Sequence, residues 1–223
     1  MKGYDAPRYL YDEWNSFSRV TVEDRGLSPP FGWGFGSNYK SDKQIEQLFI
    51  RIDADAGTPI TRFDGSLENL DFLRNDVVNS VHYIRPHADE LIIGSGGGRD
   101  ILSALVFNQK SVTALEVNGN INRALNQNFG DFSGHLDRYP NIQFVNDEAR
   151  SWLAKSRSTY DIIQMPLADT WAATAAGAFS LSENSLYTVE GWRVILKHLN
   201  SRGVFTVSRW YYKDFHGELY RLV

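Results

Sequence analysis

The 223-residue chain contains no cysteine, which excludes disulfides, thiolate metal sites and cysteine nucleophiles together. It has only 5 histidines, and His82, His87, His135, His198 and His216 are scattered, with no H-E-x-x-H and no close pair, so no metal is expected. No apolar run approaches the roughly 20 residues of a membrane span. Met1-Lys2-Gly3-Tyr4-Asp5 lacks the apolar core of a secretory leader, so the expected location is cytoplasmic. Lys and Arg form no basic stripe, and the net charge is −4 with a pI near 5.7, so nucleic acid is not an expected partner. This mild acidity is compatible with a cationic substrate but discriminates little. Hydrophobic content of 42% and charged content of 22% suit a globular protein with one full core and a smaller lobe.

What is present divides the chain into two parts. In the first, residues 17–22 mix apolar and polar residues as a strand does, Leu48, Ile50 and Ile52 alternate strictly, and residues 58–63 continue in the same style. Residues 26–36, Gly-Leu-Ser-Pro-Pro-Phe-Gly-Trp-Gly-Phe-Gly, are dense enough in Gly and Pro to be expected as loop throughout. The aromatics of this loop either cover a cleft or pack on the sheet. Residues 1–66 are thus expected to form a small antiparallel β lobe. A helix is expected from Leu67 to about Tyr83, with Leu70, Leu73, Val77 and Val81 at helical spacing and Pro86 beyond its end.

From Glu90 onward, strands and helices alternate. Strands are expected at 91–93, 112–117, 142–145, 160–165 and 204–208, and helices at about 99–109, 119–128, 147–155 and 188–199. Alternation with near-continuous apolar strands implies a parallel sheet covered on both faces, so residues 67–223 read as a Rossmann-like α/β domain. In the last helix Thr188 is the expected cap, and Trp192, Ile195, Leu196 and Leu199 form its core stripe, with Gly203 as its stop. After 204–208 only a short segment, 215–223, follows.

The chemistry concentrates where strands end. Leu91-Ile92-Ile93 runs into Gly94-Ser95-Gly96-Gly97-Gly98-Arg99-Asp100, and a helix pattern follows at once. Glycines let the backbone turn tightly and approach a ligand, while a helix start offers N–H groups and a positive dipole end. A P-loop requires Gly-Lys followed by Ser or Thr, which is absent, and Arg99 stands where a dinucleotide fingerprint has its third glycine. The remaining pattern, Gly94-x-Gly96-x-Gly98, is that of folds holding S-adenosylmethionine or a close derivative. A bare turn is the alternative. The next strand ends at Glu116, twenty residues past Gly96, where a carboxylate can accept hydrogen bonds from both hydroxyls of a ribose. The third ends at Asn146-Asp147-Glu148. Asp147 can accept from an exocyclic amine such as that of adenine, or cap the next helix.

With these strand ends in place, the chain resembles the spermidine synthase-like (aminopropyltransferase) branch of the S-adenosylmethionine methyltransferase fold. The resemblance runs from about Trp14 to Trp210. It includes the β-rich first lobe, Ile52-Asp53-Ala54-Asp55-Ala56-Gly57-Thr58, the glycine motif, Glu116-Val117-Asn118, Asn146-Asp147, Tyr160-Asp161-Ile162-Ile163 and Tyr187-Thr188. It implies that Gly94, Gly96 and Gly98 line the methionine portion of an adenosyl ligand. It also implies that Glu116, with Val117 beside it, holds the ribose, and that Asp147, with Glu148 beside it, lies near the adenine. The implied cofactor is S-adenosylmethionine or its decarboxylated form, and relatives are commonly dimeric, so a homodimer is possible here. The resemblance also implies two further strands beyond 204–208, so the chain is expected either to lack them, to borrow cover from a partner, or to be a fragment of a longer protein.

The catalytic loop departs from the family. Its aspartate beyond the fourth parallel strand falls on Pro166, its second acid on Asp169, and its glycine-loop aspartate on Gly97. Proline can neither accept a proton nor bind an ammonium group. Gln164, beside the expected crevice, can bond adenine, substrate or a buried backbone group. Residues 166–188, with Trp171, Phe179 and Tyr187, form either a lid or a segment packed on the sheet. The expected function is transfer of a methyl or aminopropyl group to a small-molecule acceptor, an amine being one candidate. The alternative is a non-catalytic adenosyl-binding module, and a nicotinamide-linked oxidoreductase ranks below both.

Overall fold

A computed structural model of the chain describes residues 9–16, 18–36, 38–53, 56–167 and 184–208. The first lobe is a four-stranded antiparallel meander: β1 (Tyr11–Trp14), β2 (Arg19–Ser28), β3 (Ile45–Ile52) and β4 (Ala56–Thr61), in that spatial order. Alternation puts Val20, Val22, Leu48, Ile50 and Ile60 in one cluster with Ile121, Ala124 and Leu125 of the second lobe. Residues contributed by both lobes therefore bury the apolar face of the sheet.

The second lobe begins with two short 3₁₀ segments, Glu68–Asn75 and Val77–Asn79, and α1 (Ser80–Ile84). Then come β5 (Asp89–Ile93), α2 (Arg99–Val106), β6 (Ser111–Leu115) and α3 (Gly119–Arg123), which runs on into a π-type turn, Ala124–Asn128. After α4 (Gly130–Ser133) follow β7 (Ile142–Val145), α5 (Ala149–Lys155), β8 (Tyr160–Met165), α6 (Val189–Leu196) and β9 (Leu199–Val207). The five strands are parallel and ordered β7-β6-β5-β8-β9. Ile92 packs with Ile101 and Leu102 of α2, while Leu91 and Ile93 pack with Leu153 and Ile195 on the other face. Burial on both faces explains the unbroken apolar run of the central strand, each such side chain contributing roughly 1.5–3 kcal/mol.

Several elements differ from expectation for identifiable reasons. Residues 26–28 belong to β2, not to a loop: Gly26, Leu27 and Ser28 pair with Gln47, Glu46 and Ile45, and a bulge at Gly26 (φ 57°) absorbs the register shift. The aromatics that follow pack locally, Phe31 edge-on to Phe49 and Phe35 against Tyr39 and Phe72. The helix expected over 67–83 is interrupted at Asp76, which is extended (φ −93°, ψ 126°), and Val77 is 66% exposed where a core residue was expected. The last helix ends at Leu196, which is 48% exposed, so Leu196 and Leu199 leave the stripe and Leu199 opens β9. Gly203 lies within β9, not at a helix stop. Thr188 caps α6 as expected, its hydroxyl accepting from Gly191 N at 3.0 Å. No helix among the described residues is long and apolar enough to cross a membrane.

Candidate functional site

The parallel order reverses direction at β5, with β6 and β7 on one side and β8 and β9 on the other. In such sheets ligands bind outside the carboxyl ends of the strands at that switch point. The glycine turn occupies the carboxyl end of β5. Gly94, Gly96 and Gly98 have φ of 82°, 50° and 82°, conformations that a side chain makes costly. Gly94 N and Ser95 N donate to Leu115 O at 2.7 and 3.2 Å, which locks the turn to the end of β6.

The first lobe closes directly on this turn. Thr58 of β4 lies against Gly96, and its hydroxyl accepts from Gly97 N at 3.4 Å. A Cβ on Gly97 would stand 2.1 Å from Pro59 O. Position 97 therefore cannot carry the side chain that the aminopropyltransferase pattern has there.

Glu116 lies one residue beyond β6 and is 6% exposed. Its Oε2 accepts from Gly96 N at 3.1 Å and its Oε1 from Asn118 N at 3.0 Å. Burial raises its pKa, and the backbone N–H groups of Asn118, Gly96 and Val117 pull it partly back. The two oxygens offer about four lone-pair sites, more than these backbone donors occupy. At the end of β7, Asn146 Nδ2 donates to Glu116 O (2.7 Å) and Val117 O (3.0 Å), so three strand ends are tied together. Val117 itself is 53% exposed.

The other expected residues are arranged differently. The cap of α5 is Glu148, not Asp147: its carboxylate accepts from Arg150 N and Ser151 N at 2.7 Å each. Asp147 accepts from the adjacent Glu148 N (2.8 Å) and is half-buried beside Asn146. Gln164 points its Nε2 at Asp100 Oδ1, 3.3 Å away, and is 1% exposed. Pro166 is buried just past β8. Asp169, Trp171 and Phe179 lie outside the described residues, as do Asp55 and the segment 215–223.

Beneath the turn lies a polar layer that sequence reasoning missed. Arg99, 2% exposed, pairs with Asp76 Oδ2, which also accepts from Trp33 N at 2.8 Å. Burial raises the pKa of Asp100, Arg99 opposes the rise, and Asp76 adds to it. Glu90 is pushed well above the ordinary carboxylate range by burial and by Asp100. His82 Nδ1 lies 3.7 Å from Glu90 Oε2, and burial lowers the imidazole pKa to about 4. A neutral imidazole accepts at Nδ1 from Gln109 Nε2, 3.0 Å away. No cluster of three or more His, Asp or Glu suited to a metal occurs among the described residues. Of two open surface depressions, one is lined by Lys43, Leu67, Asp71 and Arg74 and the other by Leu10, Leu27, Phe129 and Phe132, and neither adjoins the glycine turn.

No family model and no curated protein matches the sequence. Solved structures do match. A spermidine synthase in complex with the transition-state analogue AdoDATO aligns over 90% of this chain at 17% identity and a TM-score of 0.52. The spermidine synthase of Thermotoga maritima aligns over 90% at 18% identity and a TM-score of 0.54. The chain spans 56% of the length of each. At these identities the match establishes a shared fold.

Proposed function

We propose that this chain binds an adenosyl-sulfur ligand and acts as a spermidine synthase-like transferase, moving a methyl or aminopropyl group to a small acceptor. The observation that carries the reading is Glu116. A buried carboxylate clamped between the glycine turn and Asn118 is fixed at the switch point with acceptor capacity left for a ribose hydroxyl. Gly94, Gly96 and Gly98 leave the turn bare of side chains on the methionine side, Val117 offers an exposed apolar edge beside the ribose, and Asp147 lies on the adenine side. Glu148 and Gln164 act through their neighbours, as the cap of α5 and the partner of Asp100.

A bound sulfonium supplies an electrophilic carbon, and displacement there draws much of its rate from alignment, so a strong base is optional. This favours methyl transfer at a site whose strand β8 is followed directly by Pro166. Aminopropyl transfer to an amine has Asp169 as its available acid. Pro166 is also the specific observation favouring the second reading, a module that binds the ligand without transferring a group.

Calorimetry with S-adenosylmethionine, decarboxylated S-adenosylmethionine and methylthioadenosine tests the proposal. Binding of at least one is expected, and Glu116→Ala should weaken it about ten-fold or more, as loss of a hydrogen-bonded charged acceptor does. Binding of none removes both readings. An unchanged affinity in Glu116→Ala removes the ribose assignment.

A further inference from the structure

The first lobe is wired to Glu116 through one buried amide. Asn118 is 3% exposed and caps α3, its Oδ1 accepting from Asn120 N at 3.1 Å. The same oxygen accepts from Asn15 Nδ2 at 2.7 Å, and Asn118 Nδ2 donates to Ser18 Oγ at 2.8 Å. Both partners belong to the turn between β1 and β2, which is itself fixed by Ser18 N to Asn15 Oδ1 (2.8 Å) and Asn15 N to Ser18 O (2.9 Å). The backbone N of Asn118 then holds Glu116 Oε1. Two residues further on, Tyr11 of β1 donates its hydroxyl proton to Asn120 O at 3.3 Å.

A helix cap alone needs one side-chain acceptor, which serine supplies as well as asparagine. Reaching Asn15 and Ser18 at once takes a planar amide with an acceptor and donors on one group. The lobe contact thus adds to the cap, taking a second lone pair of Oδ1 and the Nδ2 donor that capping leaves unused. Because Glu116 Oε2 is already held by Gly96 N, the orientation of the carboxylate depends on where Asn118 N places Oε1.

We propose that Asn118 is a positioning residue that transmits the placement of the Asn15–Ser18 turn to Glu116, so that the turn and a ribose-bearing ligand stabilise each other. This rests on the adenosyl reading above. Linkage makes the coupling reciprocal: whatever the turn adds to ligand affinity, the ligand returns to the docking of the turn.

The test compares Asn15→Ala and Asn118→Ser, which keeps the cap, with Ser16→Ala as an exposed control on the same turn. Methylthioadenosine affinity is measured by calorimetry, and the Gly96 amide resonance, which senses Glu116 through its hydrogen bond, is followed against pH without ligand. Both variants should weaken binding about five-fold, the loss of one neutral hydrogen bond's contribution. That loss should vanish in a Glu116→Gln background, and the Gly96 titration should move upward in both. Ser16→Ala should match the wild type. Affinities within about two-fold of wild type together with an unmoved Gly96 titration overturn the proposal. A loss of stability alone would lower the melting temperature without moving that titration. If the wild type binds no methylthioadenosine, the adenosyl reading fails, and the Gly96 titration still decides whether Asn118 couples the turn to Glu116.

Discussion

Replacing Gly97 with alanine tests the way the two lobes meet. The added Cβ would lie 2.1 Å from Pro59 O, 2.8 Å from Pro59 C and 3.3 Å from Ile60 N, all backbone. No rotamer change relieves contacts of this kind. Pro59 is opposite Phe49 in the β3–β4 ladder, so its carbonyl cannot retreat by more than an ångström without pulling β4 from β3 or lifting the lobe from the glycine turn. Overpacking in a well-ordered core costs about 1–3 kcal/mol, and an immovable backbone obstacle puts this case at about 3 kcal/mol or above. For a chain of this size that corresponds to a fall of about 6–12 °C in melting temperature. Gly26→Ala is the control: no atom lies within 4 Å of its Cβ, and its φ of 57° predicts a strain cost of about 1 kcal/mol. Thermal and urea unfolding of both variants decide the matter. If Gly97→Ala melts no lower than Gly26→Ala, the lobes do not close on the turn in this way.

Three further perturbations probe the polar layer. His82 is neutral in the folded chain with a pKa of about 4 against an ordinary 6.5, so the unfolded chain takes up a proton first as pH falls. Its contribution is complete above pH 6.5 and is lost down through pH 4, about 3 kcal/mol in all, so His82→Gln should unfold with a visibly flatter dependence between those values, and equal slopes would refute the assignment. Glu90 has the opposite sign: its raised carboxyl pKa gives stability that is present in acid and lost as pH climbs from 4.5 through the folded value, so Glu90→Gln should gain on the wild type progressively toward alkaline pH in urea titrations. Arg99→Ala strands the buried Asp76 carboxylate and should cost about 3–5 kcal/mol, whereas an Arg99→Met/Asp76→Asn double variant should recover much of the loss; a single-variant cost below about 1 kcal/mol would contradict the buried pair.

The strands of the parallel sheet were legible because burial on two faces leaves a signature that no neighbour can alter. Residues 160–165 form a strand over the whole range expected, and the central run at 91–93 lies within β5. The break at Asp76 was not legible, because Leu70, Leu73, Val77 and Val81 keep helical spacing across it. What interrupts the helix is distant in sequence: Arg99, 23 residues on, takes the Asp76 carboxylate, and Gly34 O takes Val77 N at 3.1 Å. Gly203 misleads for a related reason. Leu199 pairs with Tyr160 and Val204 with Ile162, so the intervening residues bulge, and a Cβ on Gly203 would stand 3.0 Å from Tyr160 O. The glycine answers a close strand approach, not a helix end. At the site, Gly94, Gly96, Gly98 and Glu116 could be read from spacing within one strand–turn–helix unit. Asn118 could not, since its link to Asn15, Ser18 and Glu116 exists only because these residues meet in space.

The two departures from the aminopropyltransferase pattern have different physical origins. Pro166 removes an acid by the chemistry of the residue itself. Gly97 removes one by packing, since β4 occupies the volume a side chain would need, and restoring a carboxylate there would force the lobes apart. Two other buried carboxyls, Glu90 and Asp100, do not replace them: both are biased toward the protonated form, Glu90 lies against His82, and Asp100 lies against Arg99 and Gln164. On the proposed function, an amine acceptor would meet little negative charge at either family position, whereas the proposed ribose site has its carboxylate at Glu116. An intact Glu116 with no acid at positions 97 and 166 is the arrangement that the proposed alignment-driven methyl transfer, or ligand binding alone, would require. Comparing acceptor-free affinities for the carboxylated and decarboxylated sulfonium ligands bears directly on this point, because a site evolved for aminopropyl transfer should prefer the decarboxylated form.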